Sequence, residues 1–115
     1  MLSILPFLLM QAATPAPSPV DLSDTRCVFL FGYFGSRGNP TQEAQAKLGT
    51  MYFVGKIRAR NPSADFGKLL AAATAEAKRS NINAPIEGAR CEREYQAAAM
   101  DLTNGAKAVN TPAKP

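Results

Sequence analysis

Residues 27–34 read CVFLFGYF, and the fold class turns on them. So dense an aromatic and aliphatic run is compatible with a buried strand. It fits a helix equally well, because Cys27, Leu30, Phe31 and Phe34 stand at i, i+3, i+4 and i+7, one face of a 3.6-residue period. A strand needs a partner, and no second strand candidate occurs in the chain. The helical reading therefore governs, over about Leu22 to Gly35, with Ser23 or Asp21 placed to cap it.

Toward the C-terminus, GSRGNP (35–40) closes this helix, with Gly35 and Gly38 available for left-handed cap conformations. Asn39 or Thr41 starts a second helix reaching about Arg60, in which Glu43 and Lys47 pair at i, i+4. A third helix, about Ser63 to Arg79, carries the cleanest stripe: Phe66, Leu69, Leu70, Ala73 and Ala77. Asp65 near its start and Lys78 and Arg79 at its end suit the helix dipole. SNINAPIEG (80–88) reads as a break. A fourth helix follows from about Ala89 to Ala106, with Cys91, Tyr95, Ala98, Ala99 and Leu102 on one face and Arg90 and Glu94 supporting the outer one. The expectation is an all-α fold, a compact bundle of about four short helices, forming one domain over residues 21–107. Residues 108–115 have nothing to pack and read as a loose tail.

Toward the N-terminus, MLSILPFLLM is a short apolar run followed by the proline-rich QAATPAPSPV. As a helix, Leu2 to Met10 would rise only about 13 Å, far short of a bilayer. Residues 1–20 therefore read as a signal peptide and Pro-rich linker, with removal near Ala12 to Ala16 and no stable membrane insertion afterwards. The competing reading is a disordered tail on a cytosolic protein.

The chain has two cysteines, Cys27 and Cys91, far apart and not in a C-x-x-C spacing. Both fall on core stripes, of the first and fourth helices, so a disulfide joining the ends of the folded region is the plain reading, and it favours a periplasmic or secreted location. Two buried free thiols are the alternative.

In the second helix, a wheel at about 100° per residue puts Ala44, Leu48, Met51, Tyr52, Gly55 and Ala59 on one face, with Phe53 and Ile57 opposite. Gly55 at the centre of the larger face implies close approach of another helix, since a mid-helix glycine otherwise costs roughly 1 kcal/mol. Lys56 and Arg60 share an edge, about 40° apart, whereas Arg58 points away. A single anion would not meet all three, and positive charge in a helix's last turn is explained by its dipole.

The run Tyr52-Phe53-Val54-Gly55-Lys56-Ile57-Arg58-Ala59-Arg60-Asn61-Pro62, between an early and a late cysteine, resembles an uncharacterised group of small exported helical proteins of alphaproteobacteria. The resemblance spans about residues 24–105 and implies an exported helical domain, without implying an activity. Cysteine placement and helix content are more loosely similar to the periplasmic acid-stress chaperones, which carries over no functional residues.

Composition bounds the chemistry. The 115 residues are 46% apolar, with 13 Lys and Arg against 9 Asp and Glu interspersed. Mixed signs read as a solvated surface rather than a polyanion site, and without tryptophan there is no obvious stacking platform, so nucleic acid is not an expected partner. Histidine is absent, which removes the commonest general base and any Ser-His or Cys-His nucleophile. A zinc site would need carboxylates. The glycines at 32, 35 and 38 lack the strand and Gly-Lys-Ser/Thr of a phosphate loop. No catalytic, metal or cofactor residue is expected. The function expected is non-catalytic, an interaction or structural role with an unidentified periplasmic protein. That partner would meet the aromatic first helix at Phe29 and Tyr33 or the basic edge at Lys56 and Arg60. The alternative is a periplasmic stress chaperone that exposes apolar surface as conditions change.

Overall fold

The computed structural model describes residues 16–110; the apolar run Leu2 to Met10 and the last residues of the expected tail lie outside them. Four helices follow one another: α1 Pro19–Gly35, α2 Pro40–Arg60, α3 Phe66–Arg79 and α4 Ala84–Asn110. The described residues contain no strand, and CVFLFGYF is helical throughout.

Each helix begins at a side-chain cap. Ser18 Oγ accepts from Asp21 N at 3.1 Å, ahead of Pro19. Asn39 and Gln42 form a reciprocal capping box around the start of α2, ahead of Pro40. Asp65 caps α3 through Lys68 N. Asn83 caps α4 through Ile86 N at 3.0 Å, with Pro85 in the first turn. Proline suits these positions because its missing N–H would have no helical partner there. Three starts thus depart from expectation. The cap of α1 is Ser18, not Ser23 or Asp21; Asp65 precedes α3 rather than lying inside it; and α4 begins inside the supposed break. That break is a tight one. Asn81 is left-handed (φ 49°), and Ile82 N donates to Ala77 O at 3.0 Å, which together close α3 as a Schellman motif. Neither Gly35 nor Gly38 is left-handed. Gly35 is required for another reason, because a Cβ there would overlap that of Ala46 where α1 and α2 approach.

α1 is the hub. Its backbone runs close to all three other helices, α2 most extensively, while α3 reaches α2 through side chains. One buried cluster gathers Cys27, Leu30, Phe53 and Cys91, with Val28, Phe31, Tyr52 and Tyr95 against it. A second gathers Ile57, Ala64 and Leu69, with Phe66 and again Val28. The Cys27–Cys91 disulfide, Cα–Cα 5.5 Å, ties α1 to α4 as expected. Closing a loop of 64 residues stabilises the fold by about 4 kcal/mol in the chain-entropy model.

The wheel of α2 is turned from the expected orientation. Gly49, Phe53 and Ile57, four apart, are its buried line, and Ala44, Leu48, Met51 and Ala59 face outward. Gly55 is exposed, and a Cβ there would meet nothing within 4 Å, so it marks no helix contact. The close-approach glycine of this helix is Gly49, where a Cβ would fall 2.7 Å from the Phe31 ring.

Candidate functional site

Two features stand out around α1. The first is a belt of charge across all four helices. Asp24 on α1 is 2% exposed, yet it accepts from two cations of α2, Lys56 Nζ at 3.1 Å and Arg60 Nη2 at 2.5 Å. Arg60 Nε also donates to Asp21 at 3.0 Å, and Lys56 Nζ to Glu94 on α4 at 2.7 Å. From Glu94 the belt passes to Arg90 at 3.9 Å, then to Glu87, to Arg26 on α1 at 3.5 Å and to Glu76 on α3 at 3.0 Å. Arg26 Nε faces Glu87 at that ion-pair distance without hydrogen-bond geometry.

Burial disfavours the charge of Lys56, but hydrogen bonds to Glu94 and Asp24 outweigh it and raise its pKa above the ordinary 10.5. The hydrogen bond to Asp24 likewise raises that of Arg60. Tyr52, beside them, is raised above 10.0, by burial first and then by the negative charge of Glu94. Every carboxylate in the belt already faces a cation, so the arrangement is a clamp between helices rather than an acid–base pair.

Arg90 has a second task. Besides pairing with Glu94 as expected, its guanidinium turns inward, with Nη2 3.3 Å from Ser23 O, 3.2 Å from Cys27 Sγ and 3.7 Å from Cys91 Sγ.

The second feature is an aromatic ridge. Phe29, Tyr33 and Phe34 are 51%, 43% and 50% exposed. Phe29 and Tyr33 stack at 6.1 Å, Phe34 meets Tyr33 edge-on at 5.3 Å, and Arg37 lies 3.7 Å over the Tyr33 ring. Beside Phe29, between α1, α3 and the start of α4, runs a groove of about 250 Å³ lined by Leu30, Ala73, Ala77, Ile82 and Lys78, with Arg26 and Glu87 of the belt on its wall. Beside Phe34, between α1, α2 and α4, lies another of about 490 Å³, reaching Arg37, Ala46 and Gly88.

The expected interaction residues are thus divided. Phe29 and Tyr33 stand together on the ridge, whereas Lys56 and Arg60 are spent on Asp24 in the belt. Arg58 does point elsewhere, to Pro62 O at 2.8 Å and over the Phe66 ring. Sequence reasoning missed Asp24. The signal was present as two acids three apart on α1, Asp21 and Asp24, complementary to two bases four apart on α2. Among the described residues, no cluster of three or more His, Cys, Asp or Glu has metal-binding geometry. No protein-family model matches the chain, and neither a curated protein nor a solved structure is detectably similar to it.

Proposed function

We propose that this chain is an exported, non-catalytic helical protein of the periplasm or exterior that works by binding another protein through the ridge of α1. The observation that carries the reading is the ridge itself. Three aromatic side chains spend their surface on water and on one another, although the core beside them is small, and contiguous exposed apolar surface of this kind marks binding sites. Arg37 and Lys78 flank it, and neither is ion-paired among the described residues. The partner segment is accordingly apolar with carboxylates at its margins. The disulfide suits an oxidising compartment, and no helix among the described residues is long and apolar enough to cross a membrane.

The test compares capture from periplasmic extract, disulfide intact, by the parent and by a Phe29→Ser, Tyr33→Ser variant, with Arg93→Ser as a control away from the ridge. A protein retained by parent and control and lost from the ridge variant supports the reading. Equal retention by all three, or none by the parent, overturns it.

A second reading, a stress chaperone, is favoured by one observation. The belt that clamps α2 and α4 to α1 depends on carboxylates, and strong acid removes their charge. A chaperone of this design binds a dye for exposed apolar surface near pH 2 to 4 while staying in solution; precipitation, or no dye binding, rejects it.

A further inference from the structure

α4 has 27 residues, and the one that is buried is Cys91. Apart from the disulfide, it is held by Tyr95 against Phe31 and Tyr52, at ring distances of 5.9 and 6.2 Å, by Arg90 Nη2 on Ser23 O at 3.3 Å, and by the ion pairs Lys56–Glu94 and Arg26–Glu87, none of whose side chains is fully buried. Partly exposed pairs contribute little to stability. α1 and α2, by contrast, interlock along Leu30, Phe31, Gly35, Ala46, Gly49 and Phe53 with no covalent bond between them.

We propose that the Cys27–Cys91 disulfide is a redox latch: a dithiol reductant releases α4 from the other three helices and bares the aromatic surface that α4 covers on α1 and α2.

Both sulfurs are buried, at 0% and 1% exposure, so the reductant meets them when α4 opens locally. Arg90 lies nearer Cys27 Sγ than Cys91 Sγ, and a neighbouring cation favours a thiolate. Cys27 is therefore the better leaving group. The attacking thiolate of the dithiol bonds to Cys91 Sγ, the S–S bond breaks, and Cys27 Sγ departs with the electron pair beside Arg90. The second thiol of the reductant then displaces Cys91, closing the oxidised reductant as its own disulfide. The two protons of the dithiol end on the two cysteines, through water. With the bond gone, Tyr95, the Lys56–Glu94 and Arg26–Glu87 pairs and the Arg90–Ser23 hydrogen bond are too few to hold α4, and Leu30, Phe31, Tyr52 and Phe53 lose their cover.

Hydrogen exchange on the full chain, oxidised and in excess dithiothreitol, tests the latch. Amides of residues 88–100 should exchange at close to the free-peptide rate in the reduced protein, while those of 50–58 keep ~10-fold protection or more. Loss of protection in all four helices together, or no change in α4, overturns the proposal. A Cys27→Ser, Cys91→Ser variant should reproduce the reduced pattern without reductant; exchange like that of the oxidised parent overturns it too. Brief treatment with glutathione and an acid quench should place the mixed disulfide on Cys91, and its appearance on Cys27 overturns the direction of attack.

Discussion

Asp24 shows how one buried charge fixes the angle between two helices. Removing the acid leaves Lys56 with Glu94 and Arg60 with Asp21, so Asp24→Asn should cost only about 1 to 2 kcal/mol. Removing both cations instead leaves a carboxylate out of water with no partner. Lys56→Met with Arg60→Met should therefore cost about 3 kcal/mol, the low end for a broken buried pair because the two cationic heads themselves reach solvent. Denaturant unfolding of the variants checks the order, and the reverse order would show that Asp24 is hydrated. The glycines give a second contrast at this scale. Gly55→Ala should stabilise by up to about 1 kcal/mol, since the site is open and alanine favours the helix. Gly49→Ala should cost about 1 to 3 kcal/mol by forcing the Phe31 ring aside. Equal stabilities would return Gly55 to the packed face. Raised pKa values at Tyr52 and Lys56 mean that the folded protein holds these protons more tightly than the unfolded chain does. Their contribution is complete below the ordinary values of 10.0 and 10.5 and is lost as pH rises through the folded ones. Unfolding free energy from these groups should thus be level between pH 7 and 9 and decline above about 10. Tyr52→Phe with Lys56→Met should flatten that decline.

At the level of the helix, what was legible in the sequence was periodicity, and what was obscured was orientation and onset. The stripe of α3 reads correctly because Leu69 and Ala73 are buried and Phe66, Leu70 and Ala77 half-buried, against a reverse face of small and polar residues with no large apolar side chain. α2 misleads because it is apolar on both sides. Leu48 and Met51, 57% and 70% exposed, outvote Phe53 and Ile57 on a wheel, and only the partner acids on α1 could have broken the tie. The starts of α1 and α4 lie earlier than periodicity suggests because Pro19 and the Asn83–Pro85 run, which read as linker and break, initiate helices, whereas Asn39 reads as a start and is the cap of α2. The ridge residues Phe29 and Tyr33 were legible as aromatic, but their standing apart from Lys56 and Arg60 follows from the roll of α1, which no local pattern encodes. The onset of α4 gives a direct check: Asn83→Ala should cost about 1 kcal/mol, whereas no effect would mean that the helix truly begins later. Its far end gives another. Residues 100–110 are all exposed, so a chain ending at Met100 should unfold within about 0.5 kcal/mol of the parent, as changes away from packed features usually do. A larger loss would mean that something covers that half.

For the molecule as a whole, stability is concentrated in α1 and in one covalent bond. A domain this small has only about 5 to 15 kcal/mol in total, so losing some 4 kcal/mol on reduction should lower the melting temperature by roughly 15 °C or more. An unchanged melting temperature would mean that the bond is redundant. The hub position of α1 carries a further consequence, in time rather than energy. The surface on which the other helices assemble is made first, and its cysteine leaves the ribosome 64 residues ahead of the partner. At about 5 to 20 residues per second this is an interval of roughly 3 to 13 seconds. Throughout it Cys27 is an unpaired thiol on a half-built apolar helix, so the growing chain is most exposed to bonding with the wrong molecule before α4 has been synthesised.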